Sequence, residues 1–379
     1  MTRASVRPLF YLVDWLPPDF GATGQYALMA CMAAAKAGRA VRLIGLTSGA
    51  PATSEETFTS GGSLTVIRLK ANPAAKSNYL ARLIWSLAIG LRLTLAMMSQ
   101  RQARQAELIF TGSPPFMVYF AVAAKYLLGL TLIYRITDFY PEVVIASLPR
   151  RSWVLSMIQR MTWAMRRRVN RFEVLGEDQR RLLLDGRIPA DRISLVRDGS
   201  PVTFTGREAP LPPPATLAGR LILLYSGNYG VAHEVDTVHA GLYQHHHVGS
   251  SRFGLWLNGS GAGADRLERE LLAANAPVAR TASLPLEDLA RLLVTADAHL
   301  ITLRPGFAGL VLPSKVYGCL ASGRPIIFVG PADSDVHLLC SESPSRLYHR
   351  IEPGDVEGLV RALDALADSA PPRSRAAMA

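Results

Sequence analysis

Cysteine is scarce in this chain of 379 residues: Cys31, Cys319 and Cys340 stand far apart with no C-x-x-C pair. That excludes a disulfide framework and a cysteine-ligated zinc site, and points to a reducing compartment, the cytoplasm. Acidic residues are also few, 30 Asp and Glu against 41 Lys and Arg, for a net charge of +11. The deficit lies in residues 1–200, with 26 basic against 13 acidic side chains; the remainder holds 15 against 17. Such a field attracts an anionic membrane leaflet, a nucleic acid or a phosphate-bearing substrate. Nucleic acid fits least, because the basic residues sit among apolar runs, as from Arg160 to Arg171, with no zinc finger, RNP-like strand or interleaved aromatic and basic residues to read bases.

Long uninterrupted apolar runs are missing as well. Leu9 to Val13 ends at Asp14, too short for the apolar part of a signal peptide, and reads as a first buried strand. Tyr79 to Met98 has the length of a membrane span but contains Arg82 and Arg92, and Phe116 to Tyr134 is interrupted by Lys125 and Gly129. Central charges oppose spanning. The first segment is expected as a helix half buried in the core or resting on a bilayer face, with Arg150, Arg151, Arg160, Arg166, Arg167 and Arg168 able to meet lipid headgroups.

The composition, 49% apolar and 19% charged, is that of a globular protein, and the length exceeds what one core usually supports. Strand Leu9–Val13, a Gly-containing loop, a helix from Tyr26 to Ala37, Gly38 and strand Val41–Leu46 begin a doubly wound α/β domain. Strands at Leu64–Leu69, Leu108–Thr111, Thr131–Ile136 and Phe172–Leu175, with a helix over Met117–Leu128, continue it. Four prolines between Thr205 and Pro214 break the pattern. Strand and helix then alternate again: strands Leu221–Tyr225, Gly254–Asn258, Ala298–Leu303 and Pro325–Val329, helices Asp265–Ala274, Leu286–Thr295, one from Ser314, and Val356–Ala367. The expected organisation is α/β, two Rossmann-like domains facing a cleft: 1–205, a Pro-rich linker 206–215, a second domain 216–368 and a flexible tail 369–379.

Three loops carry the chemistry. Ser226-Gly227-Asn228-Tyr229-Gly230 follows a buried strand, so its backbone N–H groups can approach an anion with no Cβ in the way; read alone, it is equally a tight turn. His233 is expected on the first turn of the next helix. Asn258 to Gly263, with Gly259 and Gly261, repeats the arrangement after the following strand, at the edge where open α/β sheets bind ligands. Lys315, after Pro313-Ser314 at a helix start, makes sense there mainly beside an anion. Asp138 and Glu142 follow a strand of the first domain; Asp138 could orient or deprotonate an acceptor hydroxyl, or cap the next helix.

The motifs Y-S-G-N-Y-G-V-A-H-E, D-A-H-L-I-T-L-R-P and G-L-V-L-P-S-K-V-Y-G-C-L-A-S-G-R-P-I-I-F-V-G resemble the donor domain of GT-B glycosyltransferases of family 4, within it the bacterial subgroup that builds surface polysaccharides. D-F-G-A-T-G-Q-Y, T-G-S-P-P-F and R-I-T-D-F-Y-P-E agree less specifically, and the resemblance runs from about Leu9 to Ala367. It implies a nucleotide-diphosphate sugar in the second domain, with Gly227, Asn228, Gly230 and Lys315 near the diphosphate and Ser314 and Tyr317 near the nucleoside or sugar. Gly21 and Gly24 would close on the donor from the first domain. It also implies a glycan or polyprenyl-linked acceptor, transfer with retained configuration, and no cofactor or required metal.

One feature departs from the family. Many members carry two glutamates eight residues apart before the A-x-G-x-P turn; those positions are Leu310 and Gly318 here, which leaves open what contacts the ribose and sugar hydroxyls. Asp333-Ser334-Asp335 copies a D-x-D metal motif but stands before a helix, where capping by Asp is the expected role. His245, His246 and His247 are adjacent on a helix and so point apart, and are assigned no site. The expected protein is a retaining glycosyltransferase at the inner membrane face, Asp138, His233 and Lys315 serving catalysis. A nucleotide-sugar 2-epimerase of the same fold and a non-catalytic membrane-associated partner are the alternatives.

Overall fold

A computed structural model describes residues 7–19, 21–72, 79–150, 152–343 and 347–369. Arg151 and residues 370–379 of the expected tail lie outside them. The chain divides into two compact units, Met1–Arg197 and Asp198–Ala379.

The first unit is built on eight strands: β1 (Leu9–Trp15), β2 (Ala40–Thr47), β3 (Ala52–Thr57), β4 (Ser63–Lys70), β5 (Glu107–Thr111), β6 (Thr131–Ile136), β7 (Arg171–Val174) and β8 (Ile193–Leu195), in spatial order β3-β4-β2-β1-β5-β6-β7-β8. All pair in parallel except β3, an exposed edge strand antiparallel to β4. The apolar runs of β1, β2, β5 and β6 are buried on both faces, as a covered parallel sheet requires. Its helices are α1 (Ala22–Lys36), α2 (Tyr79–Met98), α3 (Met117–Leu128), α4 (Glu142–Ser147), α5 (Trp153–Arg166) and α6 (Glu177–Asp185).

Helix α1 begins four residues before the expected Tyr26, because Gly24 is not a loop residue. It sits inside the first turn, where a Cβ would come within 1.8 Å of the Trp15 carbonyl oxygen, so glycine lets the helix close onto the end of β1. Ala81–Met98 within α2 is the one described stretch long and apolar enough to cross a membrane, by length and composition only.

The second unit carries β9 (Leu221–Ser226), β10 (Phe253–Asn258), β11 (Val278–Thr281), β12 (Ala298–Thr302), β13 (Ile326–Val329) and β14 (Tyr348–Ile351), all parallel, in order β11-β10-β9-β12-β13-β14. Helices α7 (Asp236–His247), α8 (Ala262–Ala273), α9 (Leu286–Thr295), α10 (Lys315–Ala321), α11 (Asp335–Ser341) and α12 (Val356–Ser369) cover it. Leu223, Leu255 and Leu300 meet Val238, Leu267 and Leu363 in one core; Ile222, Leu224 and Trp256 meet Leu292 and Leu293 in another. Val202, Phe204 and Leu211 pack against that second cluster, and the Leu211 amide donates to Thr295 Oγ1 at 2.8 Å. The proline-rich segment expected as a linker is thus part of the second unit, which begins at Asp198.

Candidate functional site

The strand order of the second sheet reverses between β9 and β12, the point at which open α/β sheets bind ligands beyond their carboxyl ends. The loop after β9 and the loop after β10 meet there. Gly227, Gly259 and Gly261 all have positive φ, at 123°, 136° and 126°. A Cβ on Gly259 would lie 2.3 Å from the Gly227 oxygen, and one on Gly261 would lie 2.5 Å from the Tyr229 oxygen. The Gly227 amide donates to the Asn258 oxygen at 2.8 Å and the Tyr229 amide to the Ser260 oxygen at 2.7 Å. Gly259 and Gly261 therefore let one loop close onto the other. The Gly227 amide is engaged too, whereas the amides of Asn228 and Gly230 have no acceptor among the described residues.

Lys315 opens α10 and reaches back to this pair of loops. Its Nζ lies 3.2 Å over the centre of the Tyr225 ring, and a Cβ on Gly227 would be 3.8 Å from it. The atom is buried and has no hydrogen-bond partner among the described residues, and burial pushes its pKa down to about 7. A cation held away from water with only an aromatic face beside it is costly until an anion arrives. Ser314 precedes it, half-buried and making no capping bond, and Tyr317 is buried on the same helix. Gly318 explains one missing carboxylate: a Cβ there would stand 3.1 Å from Leu293 Cδ1, so the position faces packing.

Tyr225 and Tyr229 stack with ring centres 4.3 Å apart, and His233 meets both edge-on. His233 precedes α7, which starts at Asp236; it is not on the helix's first turn as expected. Its Nδ1 lies 2.8 Å from the Thr302 carbonyl oxygen, an obligate acceptor, so Nδ1 carries the hydrogen and Nε2 is left as an acceptor. Burial, then the nearby charge of Lys315, lowers its pKa to about 3. Near pH 7 it is a neutral ring held in one orientation by Thr302 and the two tyrosines. Sequence reasoning passed over Tyr225 and Thr302, whose signal was their place at the carboxyl ends of adjacent strands.

The first sheet has its own reversal between β1 and β5, and acids gather there. Ser113 Oγ donates to Asp14 Oδ2 at 2.5 Å. Asp138, just beyond β6, has its pKa pushed up to about 6 by burial and then by the charge of Asp14; burial likewise raises Asp14. Glu142 does not join them. Its carboxylate takes two hydrogen bonds from Arg166, at 2.7 and 2.9 Å, and that guanidinium is fully buried between the Phe139 and Trp163 rings. Arg166 is thereby removed from the residues expected to face lipid, and Glu142 from those near a substrate. Gly21 is extended at the start of α1, and Gly24 is occupied in packing on Trp15.

The two motifs set aside also resolve. Ser334, not an aspartate, caps α11 by accepting from the His337 amide. His245 Nδ1 lies 3.1 Å from Asp364 Oδ1 and its Nε2 accepts the Phe253 amide, His246 meets Ser251 Oγ, and His247 meets the Ala274 oxygen.

No family profile matches the chain. Over 304 residues, 77% of this chain and 72% of the relative, it is 22% identical to the probable glycosyltransferase WbjE of Pseudomonas aeruginosa. Over 142 residues, 37% of this chain and 33% of the relative, it is 30% identical to the putative colanic acid biosynthesis glycosyl transferase WcaI of Escherichia coli. Among solved structures it resembles WaaG, a glycosyltransferase involved in lipopolysaccharide biosynthesis, at TM-score 0.62 and 14% identity, covering 96% of this chain and 91% of that one. It also resembles Anabaena HepE in complex with UDP and glucose, at TM-score 0.63 and 10% identity, covering 96% and 90%. The two parallel-sheet units thus have the GT-B fold of these solved structures, and the sequence resembles proteins named as glycosyltransferases of surface-polysaccharide synthesis.

Proposed function

We propose that the protein transfers a sugar, with retained anomeric configuration, from a nucleotide-diphosphate sugar to a glycan or polyprenyl-linked acceptor at the inner membrane face. The observation that carries this reading is Lys315: a buried ammonium without a hydrogen-bond partner among the described residues, beside the Gly227 loop. A diphosphate supplies the missing anion. The open amides of Asn228 and Gly230 add dipoles to the same loop, and stabilising a departing nucleoside diphosphate in this way needs no carboxylate nucleophile and no metal. Asp138 is assigned to the acceptor hydroxyl, because a carboxyl with a pKa near 6 can take a proton at neutral pH. His233 Nε2 is assigned to orienting a donor hydroxyl.

Titration calorimetry with UDP, GDP and their sugars, on the native chain and on Lys315→Ala, tests the donor site. Tight binding by the native chain and its loss in the variant is expected; equal binding by both removes Lys315 from the site. Incubating a radiolabelled donor without acceptor separates transfer from 2-epimerisation, since only an epimerase changes the sugar under those conditions.

A further inference from the structure

Two helices of the first unit turn apolar side chains outward, toward water. Along α2, Ile84, Leu87, Leu91 and Leu95 recur on the outward face and are exposed, Ile84 by 59% and Leu95 by 53%. Its inward face carries Ile89, Leu93 and Met97 with the small Ser86, Gly90 and Thr94, so α2 is apolar on both faces; a Cβ on Gly90 would lie 2.8 Å from the Phe120 ring, which brings α2 close to α3. Helix α5 goes further, burying polar residues and exposing apolar ones. Its buried residues are Thr162 and Arg166, whereas Trp153, exposed by 77%, Val154, Met157 and Met161 point outward.

The two helices belong to one layer. Helix α3 contacts both α2 and α5, and Tyr119 of α3 hydrogen-bonds Thr162 of α5 at 2.8 Å. At its far end α3 exposes Tyr126 and Leu127. An ordinary surface helix turns its polar side to water, and an exposed apolar face marks a contact surface.

Charge selects the occupant. Helices α2, α3 and α5 contain no Asp or Glu, while Arg82, Arg92, Lys125 and Arg160 lie within them and Arg167 and Arg168 follow. Outward apolar side chains bordered by cations alone, with a tryptophan at one end, match the acyl boundary and headgroups of an anionic bilayer. A second copy of the same face would bring cations against cations.

We infer that the outward face of α2, α3 and α5 is the surface on which this protein lies in an anionic membrane, with Leu87, Leu91, Leu95, Met157 and Met161 entering the acyl boundary and Trp153 at the interface. This rests on the reading that the enzyme works at a membrane, and supplies the surface by which it does so.

The test is co-sedimentation of the full chain with phosphatidylcholine vesicles with and without phosphatidylglycerol, beside Leu91→Gln/Leu95→Gln, Met157→Gln/Met161→Gln and Arg150→Gln/Arg160→Gln. Binding to the anionic vesicles alone is expected. Each apolar double variant weakens it by about tenfold or more, and the arginine pair by several-fold in low salt. These positions are exposed, and thermal unfolding checks that the variants remain folded. As an independent readout, brominated lipids quench tryptophan emission in the native chain, and Trp153→Phe removes the quenched component.

If the native chain ignores both kinds of vesicle, the membrane reading falls and this surface with it. If the native chain binds and all three variants bind equally, the membrane reading stands and this face is overturned. Dimerisation lost in Met157→Gln/Met161→Gln, without vesicle binding, makes the occupant a second copy and also overturns it.

Discussion

The Lys315 ammonium sits 3.2 Å above the centre of the Tyr225 ring, contributed by a strand far away in sequence. Its pKa falls from 10.5 to about 7, so between those values the unfolded chain binds more protons than the native one. Stability of the ligand-free protein therefore rises with pH from about 7 to 10.5, and below 7 the full cost of the buried charge is present. Lys315→Met is expected to flatten that slope in urea titrations and to leave the free protein at least as stable at pH 7. The same variant should bind the donor about 10- to 100-fold less tightly, the worth of a hydrogen bond to a charged group.

The Asp14 and Asp138 pair titrates in the opposite sense. Asp138, raised from 3.8 to about 6, is ionised first in the unfolded chain, so native stability falls as pH rises across that window. Asp138→Asn should raise stability at pH 7. If Asp138 serves the acceptor, the rate in the native enzyme has an acidic limb near pH 6. Asp14→Asn, which removes the neighbouring charge, moves that limb to lower pH in a pH-rate profile.

Gly261→Ala should cost about 1–3 kcal/mol of stability, read by urea unfolding, and weaken donor binding as well. The new methyl would meet the Tyr229 oxygen at 2.5 Å with φ at 126°, forcing the two loops apart. Gly306→Ala, which meets nothing within 4 Å, is the control and should leave both unchanged.

Removing one member of the buried Arg166 and Glu142 pair should cost about 3–5 kcal/mol, because the survivor is left charged and unpaired. Arg166→Met and Glu142→Gln each test this by denaturant unfolding. Combining Arg166→Met with Glu142→Met should recover most of the loss.

Much of the fold could be read from apolar runs and glycine punctuation. Helix Met117–Leu128, strand Thr131–Ile136 and helix Leu286–Thr295 occur over the expected residues. Strands Val278–Thr281 and Tyr348–Ile351 escaped because each is short and half polar, with pairing in place of hydrophobicity to define it. In the site, Lys315 was recognisable as a cation needing an anion, but its seat on Tyr225 depends on a contact that no local pattern encodes. At Gly24, Gly259 and Gly261 the sequence does not show the close backbone approach that the structure places there. Nor does a run of arginines reveal that Arg166 is the one that turns inward to Glu142.

Strand β3 has every side chain exposed and presents Glu55 and Glu56 at the free margin of the first sheet. An open margin of backbone donors and acceptors invites a further strand from another molecule. Two carboxylates at that margin in a chain of net charge +11 make a local acidic border, so two molecules meeting edge to edge place like charges together. The deterrent acts through space and shortens with ionic strength, to a reach of about 3 Å at 1 M salt. Concentrated protein should therefore keep longer as dispersed particles in dilute buffer than in strong brine.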